Sequence, residues 1–217
     1  MSLLSVYFVL SALGLATSFI TAIIGMGGGV LLLAALPGFI PAHALIPVHG
    51  AVQLSSNLSR FIFDIKSACF MPLAQFFVGS ILGASFGSLL LNSLDLEMIP
   101  LLMSLFILII LWLPVSRFIS LIPGRYFSLG MIQTSIALYV GATGPLSTSI
   151  LIKEGYDSRK VIVTNAAINT LINIAKIIVF SSLGFVFYEY LVHIIVMSVS
   201  AILGSYLGTR FRLKIDV

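Results

Sequence analysis

Residues 49–60 read HGAVQLSSNLSR, and residues 165–176, which lie 116 positions later, read NAAINTLINIAK. Each stretch carries four polar groups at the same relative positions: His49, Gln53, Asn57 and Arg60 in the first, and Asn165, Asn169, Asn173 and Lys176 in the second. Spacings of 4, 4 and 3 residues place each quartet on one face of a helix. Because both stretches lie within long apolar runs, each run is predicted to be an apolar helix with one polar stripe.

The composition indicates an all-α polytopic membrane protein. Of the 217 residues, 59% are hydrophobic and only 8% are charged, and the mean hydropathy is +1.18, whereas a soluble domain carries about 25% charged residues. Within lipid, the backbone must satisfy its own hydrogen bonds, which leaves helices or a closed barrel. The apolar runs are continuous rather than alternating, and this pattern favours helices.

The same composition argues against several other classes of protein. The single cysteine, Cys69, excludes an internal disulfide, and the three histidines are scattered, so we predict no metal and no cofactor. The net charge of +4 is typical of basic cytoplasmic loops in a membrane protein. It therefore does not predict a nucleic-acid partner.

Glycine-rich breaks interrupt two of the apolar segments. The first is GMGGG at 25–29 and the second is GATGP at 141–145. Glycine and proline end helices, and the apolar run behind each break is far shorter than the roughly 20 residues that a span needs. We therefore expect residues 3–37 and residues 127–152 to form hairpins whose tips lie within the membrane.

A second match supports an internal repeat. ILGASFGS at 81–88 resembles ILGSYLGT at 202–209, and the breaks align at the offset of 116 residues. The predicted organisation is a first repeat (1–93; hairpin 3–37, helices 43–63 and 70–93), a connecting helix 97–116 and a cytoplasmic loop within 94–126, and a second repeat (127–217; hairpin 127–152, helices 158–183 and 188–209).

The distribution of charge predicts that the two repeats are inverted. Placing the basic loops and the basic C-terminus in the cytoplasm gives one consistent path, in which the second copy runs opposite to the first. The loop that contains Asp95 and Glu97 then lies outside, and Lys176 is the one basic residue away from the inner face. Inverted repeats with broken helices are typical of secondary transporters, whose site lies near the midplane.

The polar stripes and the breaks predict an anion site. A polar stripe facing lipid would cost several kcal/mol per unmet hydrogen bond, so each stripe must face protein or a water-filled cavity. The stripes carry cations and amides but no carboxylate, and a half-helix that starts within the membrane directs N–H groups and a positive dipole end at its tip. The predicted ligand-binding residues are the tip glycines together with the two stripes: Gly25, Gly27, Gly28, Gly29, Gly141, Gly144, His49, Gln53, Asn57, Arg60, Asn165, Asn169, Asn173 and Lys176.

Individual stripe residues keep alternative interpretations. The amides can serve only to join helices. Arg60 can pair with Asp64 four residues later on the same helix face, and Lys176 can snorkel to the membrane surface. His49 can carry a proton coupled to transport, or it can be an ordinary hydrogen-bonding histidine.

The segment GASFG at 83–87 matches the GxSxG pattern of serine hydrolases. In the second copy, however, Gly83 and Gly87 recur as Gly204 and Gly208 while Ser85 becomes Tyr206. The repeated feature is GxxxG, a close helix-packing face. We therefore predict that the protein is not an enzyme.

Three segments together carry a family resemblance: GMGGG, HGAVQLSSNLSR and GATGPLSTSILIKEGYDSRKVIVTNAAINTLINIAKIIVF. From residue 15 to residue 210 the chain resembles the TauE/SafE family of sulfite and organosulfur anion exporters. The resemblance implies a permease of the bacterial or archaeal plasma membrane that moves a small anion such as sulfite or an organosulfonate. It also implies a last helix equivalent to 97–116, which this sequence does not show. Two alternatives follow: the sequence is a shortened member of the family, or a second copy in a homodimer or another partner fills the place of that helix.

The sequence thus predicts a transporter that moves a small anion by alternating access at a midplane site between inverted repeats. Its expected partners are the anion and the lipid bilayer. The alternative is a membrane subunit or assembly partner whose polar stripes only pack helices, and a channel is a third interpretation.

Overall fold

A computed structural model describes residues 2–91, 98–112 and 124–215, and it confirms an all-α protein in which these residues form helices and no strand. The helices are α1 (Leu3–Ile24), α2 (Gly28–Ala35), α3 (Ala42–Phe63), α4 (Phe70–Leu91), α5 (Ile99–Trp112), α6 (Arg125–Val140), α7 (Gly144–Lys153), α8 (Ser158–Ser182) and α9 (Leu191–Ile215). Short 3₁₀ turns cover Leu36–Gly38, Ile65–Ser67 and Phe187–Tyr190.

Four described segments are long and apolar enough to cross a membrane: Leu3–Ile24, Phe70–Leu89, Ser158–Ser182 and Phe187–Ile215. Helix α3 is as long as α1, but it carries the first polar stripe and is largely buried among the other helices. The chain is therefore a multi-pass membrane protein in which α3 lies at the centre.

The two glycine-rich segments break their helices in the same way. Gly25 ends α1 with φ = 91° and donates its N–H to Thr21 O at 2.8 Å. Gly141 ends α6 with φ = 77° and donates to Ala137 O at 3.0 Å. Positive φ favours glycine because a side chain would clash there. Each break thus turns the chain at once into a second, shorter helix.

Most predicted helix limits agree with the structure within a few residues, but the last one was wrong. Helix α9 continues to Ile215 rather than ending at 209. The predicted helix stopped where the apolar run ends, before the basic residues at 210–214, yet Arg212 is only 1% exposed and pairs with Asp64. The last turns of α9 therefore contain a buried ion pair. The predicted ends at 93 and 116, and the charged residues Asp95, Glu97 and Arg117, lie outside the described residues.

Glycines allow close contacts between the two halves, and these contacts are reciprocal. A Cβ at Gly83 of α4 would lie 2.2 Å from Met131 O of α6, and a Cβ at Gly204 of α9 would lie 2.2 Å from Leu15 O of α1. Met131 is 116 residues after Leu15, and Gly204 is 121 residues after Gly83. The first helix of each predicted repeat therefore packs on the last helix of the other.

The contacting pairs also give the relative directions of the helices. Along α1 and α9 the pairs advance together, from Gly14 with Ser200 to the contact of Gly208 with Phe19, so these helices are parallel. Helices α3 and α8 are antiparallel, since Gly50 in the first half of α3 meets Lys176 near the end of α8, whereas Asp64, just past the end of α3, pairs with Arg159 at the start of α8.

The GxSxG-like segment lies in the helix-packing contact. Gly83 and Gly87 face α6, whereas Ser85 is exposed on the outer surface and donates its hydroxyl to Ile81 O at 2.9 Å. A serine with its hydroxyl bonded within its own helix is typical of a membrane-facing position.

Candidate functional site

Both helix breaks and both polar stripes meet at one cavity between α3 and α8. Thirteen of the fourteen predicted residues line it: Gly25, Gly27, Gly29, His49, Gln53, Asn57, Arg60, Gly141, Gly144, Asn165, Asn169, Asn173 and Lys176. Gly28 is the exception, because it packs against Thr17 of α1 instead. The two stripes thus face each other across a shared space.

The cavity has a volume of about 40 Å³, and on a scale where one water needs about 10–15 Å³ this leaves room for a ligand of a few heavy atoms. Its lining contains two cations, five side-chain amides and a histidine, and the described lining residues include no carboxylate. Six further lining residues were not predicted from the sequence: Thr21, Met26, Val30, Ala142, Pro145 and Ile172. Most of these are apolar, and only Thr21, one turn before Gly25, carried a polar signal.

Arg60 is a buried cation with free hydrogen-bond donors. Arg60 is only 1% exposed. Its Nη2 donates to Asn57 Oδ1 at 3.1 Å and to Ser56 Oγ at 3.3 Å. Nε and Nη1 are buried without a partner. Among the described residues no carboxylate forms a salt bridge with Arg60. The guanidinium therefore lines the cavity with an uncompensated charge.

Arg60 does not pair with Asp64 in the structure. Asp64 accepts from Arg159 at 2.7 Å and from Arg212 at 3.0 Å instead. Asp64 lies beyond the end of α3 with φ = −142°, so the four-residue helical spacing does not place it beside Arg60. These ion pairs join the end of α3 to the start of α8 and the end of α9.

Asp64 is strongly held as a carboxylate. Burial alone would raise the pKa of Asp64, but hydrogen bonds from Arg159 and Ser67 and the charges of Arg159 and Arg212 hold that pKa below its ordinary value. The ion pairs at this end of α3 therefore persist at neutral pH.

Lys176 occupies the position in α8 that corresponds to Arg60, but it has a different partner. It is 1% exposed, and Nζ donates to Gly141 O, the carbonyl at the end of α6, at 2.7 Å. It does not snorkel to the surface. A cation at the negative end of a helix stabilises that end. Lys176 therefore holds the second break in place.

The equivalent carbonyl of the first break is satisfied by an amide. Asn165 Nδ2 donates to Gly25 O at 3.0 Å, so this carbonyl already has a donor and does not need one from Arg60. The two matched cations therefore differ. Lys176 donates a hydrogen bond to a backbone carbonyl, whereas the Nε and Nη1 groups of Arg60 have no acceptor among the described residues.

The amides of the two stripes repeat their contacts. Asn57 Nδ2 donates to Gln53 O at 2.8 Å, and Asn169 Nδ2 donates to Asn165 O at 2.8 Å. A Cβ on Gly29 would lie 3.5 Å from the Gln53 amide, and one on Gly144 would lie 3.3 Å from the Asn169 amide. In each half, the second residue of the polar stripe therefore lies beside the start of the short helix that follows the break. The Asn173 amide makes no hydrogen bond to another described residue.

The two helices that begin at the breaks differ in their free N–H groups. Leu31 N bonds to Gly27 O, and the preceding N–H groups of α2, which include those of the cavity-lining Gly29 and Val30, have no acceptor within the helix. At the second break Pro145 has no N–H, and Leu146 N already bonds to Thr143 O at 3.1 Å. The first break therefore offers more donors.

His49 makes one hydrogen bond within the cavity wall. Its Nε2 lies 2.9 Å from Gly29 O, while its Nδ1 is buried and has no partner among the described residues. The ring therefore holds the start of α2 and keeps one nitrogen uncommitted.

One comparison with known proteins gives a match. The family model described as "Sulfite exporter TauE/SafE" matches residues 10–217, nearly the whole chain. No curated protein and no solved structure matches the chain significantly.

Proposed function

Because the chain belongs to the TauE/SafE sulfite exporter family, a family of membrane transporters of sulfur anions, we propose that it moves a small sulfur oxyanion through the cavity between the two helix breaks. The observation that carries this proposal is Arg60, a buried guanidinium in the cavity wall with unpartnered Nε and Nη1. An unpaired buried cation is costly. A bound anion would supply both the missing charge and the missing acceptors.

The other lining groups fit the same ligand. Oxyanions accept hydrogen bonds, and the wall offers donors from side-chain amides and from the N–H groups at the start of α2. In our proposal Arg60 binds the charge, Gln53 and Asn173 orient the anion, and Lys176 adds positive potential while it holds Gly141.

We further propose that the two halves are inverted repeats that move against each other during transport. The reciprocal glycine contacts, together with the antiparallel packing of α3 and α8, support a two-fold axis across the helices and hence within the membrane plane. Rocking of one half against the other would open the cavity first to one side and then to the other. On this account the basic loops and the C-terminus face the cytoplasm of a bacterial or archaeal cell.

The competing proposal is a membrane subunit whose polar stripes only pack helices. Several stripe amides do bond within their own helix, which is the observation in its favour. It gives no reason, however, for a buried Arg60 with two unpartnered nitrogens.

Anion-dependent thermal stabilisation of the purified protein distinguishes these proposals. We expect sulfite, or a related sulfur oxyanion from a screen of sulfate, thiosulfate, sulfoacetate and taurine, to stabilise the fold by about 2.7 kcal/mol at one hundred times its Kd. Chloride at matched ionic strength is the control. If no sulfur anion stabilises the protein more than chloride does, the packing-only proposal is favoured and the transport proposal is wrong.

A further inference from the structure

His49 presents an unusual arrangement for a residue in an anion cavity. The carbonyl oxygen of Gly29 can only accept, so the 2.9 Å contact requires the proton of the ring to be on Nε2. In the neutral ring Nδ1 is then a bare lone pair. This nitrogen is buried and has no donor among the described residues, which is an unfavourable state for a polar atom.

The corresponding residue of the second stripe shows what a satisfied side chain looks like at this position. Asn165 Nδ2 donates to Gly25 O at 3.0 Å, and its Oδ1 accepts from Ser147 at 2.6 Å. Both polar atoms of Asn165 therefore have partners within the described chain. At the matched position, His49 leaves Nδ1 without a partner among the described residues, and this nitrogen can bind a proton.

We propose that the cavity binds its anion together with one proton, which is held on Nδ1 of His49. This inference rests on the proposed function, since it concerns the anion of that same site. An oxyanion and a neutral Nδ1 both present lone pairs, so neither can donate to the other. Protonation changes Nδ1 into a donor and gives the ring a positive charge, and both changes favour the anion.

The charges around His49 make the two events cooperative. From α8, Lys176 reaches the same part of α3, because its aliphatic carbons lie 3.5–3.8 Å from a Cβ position on Gly50. From α2 the ring has a hydrogen bond to the Gly29 carbonyl, and α2 carries no charged residue. In the empty cavity Lys176 therefore opposes a second positive charge. A bound anion offsets both charges, so the anion raises the proton affinity of His49, and by linkage the proton raises the affinity for the anion.

Other titratable groups near α3 have different partners. At the start of the helix His43 Nε2 lies 3.1 Å from the Tyr190 hydroxyl. At its far end Arg159 and Arg212 pair with Asp64. Helices α1 and α5 contain no charged residue, and α6 has its one charged residue, Arg125, paired with Glu154. Of the described residues that line the cavity, Arg60 keeps its proton at all accessible pH values, so Lys176 is the other group that could exchange one.

Isothermal titration calorimetry of the purified protein with thiosulfate and with sulfate tests this inference. Neither anion takes up a proton near neutral pH, so any proton that is bound belongs to the protein. In two buffers of different ionisation enthalpy at about pH 7.5, we expect an uptake approaching one proton per anion. The affinity should fall by up to tenfold for each unit of pH above neutrality, as one linked proton requires.

Two variants assign the proton. His49→Asn introduces the residue type that the second stripe has at the matched position, Asn165. His49→Gln introduces an amide on a side chain that is one carbon longer. In both we expect anion binding without proton uptake and with an affinity that is nearly independent of pH. Gel filtration and the melting temperature report whether each variant is folded.

Each outcome decides the inference. Binding without proton uptake in the unmodified protein would overturn it and leave the anion site standing. Uptake that persists in folded His49→Asn would assign the proton to another group, such as Lys176, and would also overturn it. If neither anion nor sulfite binds the unmodified protein at any pH, the proposed function itself fails, and this inference fails with it.

Discussion

Replacing Arg60 with glutamine is expected to weaken anion binding by roughly ten- to a hundredfold. A hydrogen bond to a charged group contributes about 1.5–3 kcal/mol, and each 1.4 kcal/mol is a factor of ten in affinity. The variant loses the free donors Nε and Nη1 and, among the described residues of the cavity wall, the one charge that is not already bonded to a backbone carbonyl. Calorimetric titration with sulfite, and flux into proteoliposomes, would measure the loss.

The same variant should not destabilise the empty protein. Arg60 is 1% exposed, and no described carboxylate pairs with it, so its removal also removes the cost of a buried unpaired charge. We expect the melting temperature without anion to be unchanged or higher.

Lys176→Gln is the matched control, because Lys176 occupies the equivalent position but donates to Gly141 O. We expect this change to lower the melting temperature of the empty protein, since it frees a buried carbonyl at the end of α6. Wild-type affinity in Arg60→Gln would contradict the assignment of the anion to Arg60. Equal losses of stability in the two variants would contradict their different roles.

Gly28→Ala is expected to destabilise the fold by about 3 kcal/mol or more, although Gly28 does not line the cavity. A Cβ at this position would lie 1.9 Å from Thr17 O and 2.0 Å from Thr21 Oγ1. A backbone carbonyl cannot move away without displacing α1, and overpacking of this kind costs 1–3 kcal/mol and sometimes more. The yield of monodisperse protein in detergent and its melting temperature would measure the effect.

The adjacent Gly29→Ala is the control. Its Cβ would lie 3.5 Å from the Gln53 amide, an ordinary contact distance. We expect this variant to fold normally and to bind the anion more weakly, because its methyl group lies between the start of α2 and Gln53. A stable Gly28→Ala protein, or an unfolded Gly29→Ala protein, would show that the contact between α1 and α2 is not as close as described.

Much of the site could be predicted because the membrane restricts the alternatives. Amides spaced at helical intervals in an apolar run must face away from lipid, and this rule was enough to place the stripes of α3 and α8 toward a common space. The run GMGGG did not, however, distinguish Gly28, which packs on α1, from Gly29, which lines the cavity. Both are glycines at the start of one short helix, and only the position of α1 separates their roles.

The partners of Asp64 could not be predicted, because they depend on tertiary contacts. The spacing of Arg60 and Asp64 suggested a local ion pair, but α3 ends at Phe63, and Asp64 turns toward Arg159 and Arg212, which are 95 and 148 residues away along the chain. The Arg212 side of this pair lies in the part of α9 beyond the predicted limit. The spacing of residues along the sequence predicts which helix face a side chain lies on. It does not predict which of several arginines will pair with a given carboxylate.

The position of a bound oxyanion tests the central claim most directly. Selenite has the shape of sulfite, and selenium can be located by anomalous diffraction from crystals of the protein grown with it. We predict one selenium site between Gly29 and Arg60, with selenite oxygens about 2.7–2.9 Å from Nε or Nη1 of Arg60. A selenium site only outside this cavity, with Nε and Nη1 of Arg60 still unpartnered, would contradict the account.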